Sequence, residues 1–194
     1  MVTALTRGAN TALTRDHPHL RRVLVGLGWG HPRTGSQPFD LDASALLCGP
    51  DGKVPADSYF VFYNQLDPPS GPAAAAPGAA AAGGDDDEQV EVDLAAVPAY
   101  VDKIVFAASI YQARERRQTF GDLTGAYIRV ADLDAGTELV RYDLAHDCAG
   151  ETALVFGELY RHSSGDWKFR AVGQGWSQGL EGIAHDYGIS AAGR

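Results

Sequence analysis

The sequence predicts a mainly β protein: an antiparallel β-sandwich with short helices, one of them near the C-terminus. Short runs rich in β-branched and aromatic residues recur along the chain. Turn clusters such as Gly49-Pro50-Asp51-Gly52 separate them. Helical spacing marks a closing segment, at Leu180, Ile183, Ala184 and Tyr187. Short strands joined by Gly, Asp and Pro turns build sandwiches.

Leu20 to Trp29 reads as the first strand and ends in turn chemistry at Gly30, Pro32, Gly35 and Pro38. Phe39 to Leu47 is the second. Tyr59 to Asn64 is the third, dense in aromatic residues. Pro68 to Gly84 breaks the pattern, with prolines, glycines and two runs of four alanines but no charge. Four alanines between prolines are too few to sustain a helix in water. The segment 68–84 therefore reads as a flexible loop within a single domain spanning 1–194. A linker between two domains is disfavoured, because Met1 to Asp67 is too short and edge-rich to fold alone.

Val90 to Leu94 resumes as a strand, and Ala95 to Val101 is expected to make a short helical turn around Pro98. Lys103 to Ile110 is a buried strand. Tyr111 to Phe120, with Arg114, Arg116 and Arg117, is an irregular basic connection. Four strands follow: Ala126 to Asp132, Glu138 to Leu144, Thr152 to Arg161 and Trp167 to Gly173. The terminal amphipathic helix then closes one end, with Gly188 as its C′ residue.

A chain of 194 residues is large enough to bury a core without staples. A net charge of −9 disfavours nucleic acid and anionic membranes as partners, since phosphate contact needs clustered Lys and Arg. Cys48 and Cys148 show no zinc spacing and are expected as free buried thiols in a reducing cytosol. Met1 to His19 lacks the apolar core and cleavage pattern of a signal peptide, and no run is long enough for a membrane span. The expected location is the cytoplasm, with no direct membrane insertion.

Two acidic clusters flank the third strand: Asp40 and Asp42 before it, and Asp85-Asp86-Asp87-Glu88 after it. On an extended strand the i, i+2 spacing places Asp40 and Asp42 on one face, Cα atoms ~6.5–7 Å apart. Oxygen-only clusters suit hard divalent cations, calcium above all, and Asn64 adds an amide oxygen of the kind calcium accepts. The competing readings are edge carboxylates that discourage strand pairing and a solvated charge run. No EF-hand spacing, HExxH or Gly-x-Ser-x-Gly motif is present, and Gly26-x-Gly28 is followed by Pro32 rather than a helix.

Val25-Gly26-Leu27-Gly28-Trp29, Phe39-Asp40-Leu41-Asp42-Ala43-Ser44, Phe60-Val61-Phe62-Tyr63-Asn64-Gln65, Asp86-Asp87-Glu88, Lys103-Ile104-Val105-Phe106 and Gly157-Glu158-Leu159-Tyr160-Arg161 follow one another in a familiar order. The chain resembles the TerD family over nearly its whole length. The resemblance implies a cytoplasmic bacterial stress protein of the tellurium-resistance class, a β-sandwich holding calcium in loops at one end. No settled enzymatic activity comes with it, so no catalytic residue is expected. Carried over by motif, the ligands are Asp40, Asp42, Asp86, Asp87 and Glu88, with Asn64 in the matching strand. Other stress-resistance proteins are the implied protein partners.

The chain departs from the family where the polar loop with Gly-Asp-Asn and Gly-Glu-Gly elements is replaced by Pro68 to Gly84. It also has Gly30 where an acid commonly follows the Gly-Trp pair. With fewer oxygen donors, the expectation is weakened calcium affinity or loss of one of two sites. The alternative is a degenerate, calcium-independent member acting as a protein-interaction scaffold. A third possibility, redox chemistry on a toxicant, rests on the two cysteines alone, and neither has an activating context.

Overall fold

The computed structural model describes residues 1–30, 38–62, 73–77, 86–144 and 150–189. Their strands are β1 (Thr3–Ala4), β2 (Asn10–Ala12), β3 (Arg22–Gly28), β4 (Leu41–Cys48), β5 (Phe60–Phe62), β6 (Ala73–Pro77), β7 (Glu88–Asp93), β8 (Lys103–Ile110), β9 (Tyr127–Asp132), β10 (Thr137–Asp143), β11 (Ala153–Arg161) and β12 (Trp167–Trp176). Two α-helices accompany them, α1 (Ala113–Arg116) and α2 (Leu180–Asp186), with single 3-10 turns at Asp57–Tyr59 and Phe120–Asp122. One 6-stranded sheet runs β1-β10-β9-β3-β7-β6, and the other β2-β12-β11-β8-β4-β5. Among the described residues every pairing is antiparallel except β1 with β10.

The sandwich follows from alternation. Val23, Val25 and Leu27 of β3, Val90 and Val92 of β7, and Ile128 and Val130 of β9 line one wall of the core. Leu41, Ala43, Ala45 and Leu47 of β4, with Ile104, Phe106 and Ala108 of β8, line the other. Burying such side chains contributes ~1.5–3 kcal/mol each. Several of the intervening residues of β4 and β8 are apolar too. Leu46, Cys48, Val105 and Ala107 form a second cluster on the outer face of their sheet, covered by Ile183 of α2. The helix is held there by Trp176 Nε1, which donates to Asp186 Oδ2 at 2.8 Å, and it ends at Gly188 with φ 82°.

Three segments differ from expectation. Around Pro98 the chain makes two separate turns rather than a helix: the Ala96 amide donates to the Asp93 carbonyl at 3.1 Å and the Val101 amide to the Pro98 carbonyl at 3.0 Å, while the Asp93 carboxylate accepts from the Ala95 and Ala96 amides at 3.0 and 3.2 Å. Within the segment read as a flexible loop, Ala73–Pro77 is an edge strand antiparallel to β7, from Ala73 opposite Val92 to Pro77 opposite Glu88. A neighbouring strand satisfies the backbone groups that a short alanine run cannot satisfy as a helix. The remainder of 68–84 lies outside the described residues. Tyr111 to Phe120 contains the single-turn α1, entered and left through left-handed Gln112 (φ 49°) and Arg117 (φ 54°). The N-terminal strands β1 and β2, not foreseen, clip one edge of each sheet. Among the described residues no helix is long and apolar enough to cross a membrane.

Candidate cation site

The start of β4, the start of β7 and the end of β3 meet at one end of the sandwich and bring the two acidic clusters together. Asp40 precedes β4. Its carboxylate is largely exposed, with the Arg116 guanidinium 3.9 Å away. Asp42 is partly buried on β4 opposite Ser109. Burial, then the charge of Asp40, raises its pKa above the ordinary carboxylate value.

The three consecutive acids of the second cluster have three different environments. Asp86 is sealed: none of its side chain is exposed, and Arg129 donates to it from Nε at 2.8 and 3.0 Å and from Nη2 at 2.6 Å. The Tyr127 hydroxyl and Gln89 Nε2 add further hydrogen bonds, each at 3.0 Å. Asp87 is exposed and accepts from the Trp29 amide at 2.8 Å, while its own amide donates to the Leu27 carbonyl at 2.9 Å. Glu88 opens β7 opposite Leu27 and shares the parity of Val90 and Val92, which face the opposing sheet. Its carboxyl is pushed up to about 7, first by burial, then by the charge of Asp42 across the sandwich, then by Asp87.

Half-buried Glu88 is therefore repelled by both Asp42 and Asp87, and no cation is among the influences on it. These oxygens suit a hard divalent ion, which would replace the repulsion with attraction. Asp86 does not suit that role in this arrangement, since three neighbouring side chains already donate to its carboxylate. Among the described residues, no three His, Cys, Asp or Glu side chains converge closely enough to hold a metal by themselves. Asn64 and Asp85, the other oxygen donors named from the sequence, lie outside the described residues.

Arg129, Tyr127 and Gln89 were not singled out from the sequence. The available signal was Arg129 itself, a lone charge within the apolar run Ile128-Arg129-Val130. An arginine so placed is buried only with a partner. Two glycines of β3 also acquire a role. A Cβ at Gly26 would overlap the Asp86 carboxylate, and one at Gly28 would overlap the Tyr127 ring.

Elsewhere a groove of about 610 Å³ separates α1 from α2. Its lining mixes Arg114 and His185 with Glu115, Glu181 and Asp186, so it favours neither sign of ligand. Cys48 is buried under α2, and its thiol is pushed up to about 12, chiefly by burial, which leaves it protonated and inert. Cys148 lies outside the described residues.

Comparison with known proteins gives concordant matches. The family model described as the TerD domain matches residues 1–187. The tellurium resistance protein TerD of Serratia marcescens is 48% identical over 193 residues, covering 99% of this chain and 100% of the relative. General stress protein 16U of Bacillus subtilis is 44% identical over 191 residues, covering 97% of this chain and 98% of the relative. Among solved structures, a TerD homologue from Streptomyces coelicolor superposes with a TM-score of 0.65 at 23% identity, covering 85% of this chain and 95% of that one. That last likeness supports the fold alone.

Proposed function

From the premise that this chain belongs to the TerD family of tellurium-resistance and general stress proteins, we propose that it is a calcium-binding, non-enzymatic stress protein working in the cytoplasm. The observation that carries the calcium reading is Glu88, half-buried between the charges of Asp42 and Asp87 with no compensating cation among the described residues. The ion would be held by Asp42, Asp87 and Glu88, with Asp40 near the rim and Asn64 as a further oxygen donor. When bound it supplies positive charge that joins β4 of one sheet to β7 of the other. Because a calcium ion takes 6–8 oxygens and this chain lacks the family's polar loop, backbone and water complete the shell, and affinity is reduced or one of two sites is lost. The non-enzymatic reading is supported by the inert Cys48 thiol.

Titration calorimetry on metal-stripped protein tests the proposal. Saturable calcium binding is expected, abolished in Asp42→Asn/Glu88→Gln. Absence of binding, or equal binding by that variant, would contradict it. One observation favours a second reading, a calcium-independent interaction scaffold that engages other stress-resistance proteins. Among the described residues no closed group of three ligands exists. Partner capture unchanged by a chelator would support the scaffold, and strict calcium dependence would exclude it.

A further inference from the structure

Residues Gln89, Gly26 and Arg129 lie side by side across β7, β3 and β9, each opposite the next in the antiparallel register. They alternate with Val90, Val25, Leu27, Ile128 and Val130, whose side chains fill the inter-sheet core. The row therefore belongs to the outer face of the sheet. Asp86, arriving just before β7, lays its carboxylate over Gly26, where a Cβ would collide with it. Gln89 and Arg129 grip it from either side, and Tyr127 donates from the next position of β9. Although it stands on an outer face, the Arg129 side chain is only 4% exposed, and that of Asp86 is fully covered.

Side chains alternate along a strand, so Asp86 and Glu88, two positions apart, would share a face if the chain ran straight into β7; the bend at Asp87 breaks that alternation. With Asp86 held over the outer face and the chain bent at Asp87, Glu88 enters β7 in the inward register, with the parity of Val90 and Val92. Asp87 is caught between, bonded at both its amide and its carboxylate to the end of β3.

We propose that Arg129 is a positioning residue for the cation site: by clamping Asp86 on the glycine bed it removes that acid from the ligand set and sets the bend at Asp87 that turns Glu88 inward. The proposal rests on the calcium reading for its functional consequence, and its structural half stands without it. A buried pair of this kind contributes little net stability and is better suited to specifying one arrangement, while loss of one partner leaves an uncompensated charge.

The test uses Arg129→Gln and the neutral pair Asp86→Asn/Arg129→Gln in the full chain, with two readouts. In metal-free protein, hydrogen exchange at the Trp29 and Asp87 amides is expected to accelerate at least tenfold in Arg129→Gln, while the Val105 and Phe106 amides of the opposite sheet stay protected. Calcium affinity, read by calorimetry with calcium chloride, is expected to fall at least tenfold. The neutral pair, which restores a hydrogen-bonded partner, is expected to return both to within about threefold of the unaltered protein. Should Arg129→Gln not fold, the neutral pair alone decides: near-normal calcium affinity without the Asp86 charge supports the proposal. Unchanged exchange in Arg129→Gln would overturn it. So would a neutral pair that binds no calcium, which would make Asp86 a ligand. If the unaltered protein takes up no calcium, the functional reading falls, and the exchange arm still decides whether Arg129 sets the bend.

Discussion

Glu88, the first residue of β7, and Asp42, on β4 of the opposite sheet, are electrostatic neighbours. After burial, Asp42 is the strongest of the influences that push the Glu88 carboxyl up to about 7. This relationship joins two acidic clusters that are 46 positions apart in the chain, and it makes the metal-free site sensitive to pH.

In the metal-free protein Glu88 should weaken the fold as pH rises. Its folded value lies above the unfolded one, so its contribution is complete below about 4.5 and is lost as pH climbs through about 7. Glu88→Gln removes the effect. With a discount for partial exposure, the variant should exceed the unaltered protein by roughly 1–2 kcal/mol at pH 8. The difference should vanish near pH 4. Urea denaturation at the two pH values measures this, and equal stabilities at pH 8 would contradict it.

Calcium binding should release a proton from the same carboxyl. With Glu88 titrating at about 7, apparent affinity should be about tenfold tighter at pH 8 than at pH 6. Calorimetry in two buffers of different ionisation enthalpy would show proton release directly. An affinity independent of pH would mean that Glu88 is not a ligand.

Gly26→Ala should be costly although it adds one methyl group, because the Cβ would displace the Asp86 carboxylate from its seat. Overpacking together with a disturbed buried ion pair predicts a loss of about 3 kcal/mol in urea denaturation. Gly150→Ala, where no atom of the described residues stands within 4 Å of the added carbon, should change stability little. Similar losses for the two variants would remove the glycine bed from the account.

Most of the sandwich could be read from alternation. Lys103–Ile110 occupies the expected span, and Ile183 with Gly188 closes the terminal helix as the spacing implied. The misreadings came where non-local bonds decide. Ala73–Pro77 carries no β pattern and is a strand because β7 offers it an edge. The stretch from Ala95 to Val101 stops at two single turns, the first tied to the Asp93 side chain. At the site, the sequence marked Asp86, Asp87 and Glu88 as equivalent acids. Their separate fates depend on Arg129, 43 residues away from Asp86, and on the pleat of β7, which local composition does not reveal.

The Cys48 thiol should resist chemistry in the folded state. It is buried beneath α2 and pushed up to about 12. In a Cys148→Ser background, a maleimide reagent should label Cys48 only after denaturant is added. Rapid labelling of native protein would reopen a redox role.

Thermal melting of metal-stripped protein, with and without millimolar calcium and with magnesium as the control, tests the central claim most directly. A ligand that favours the native state stabilises it by about 2.7 kcal/mol at a hundredfold excess over Kd. The account predicts a clear rise in Tm with calcium, little with magnesium, and none in Asp42→Asn/Glu88→Gln. An unchanged Tm in the unaltered protein, or an equal rise with magnesium, would contradict a calcium site at Asp42 and Glu88.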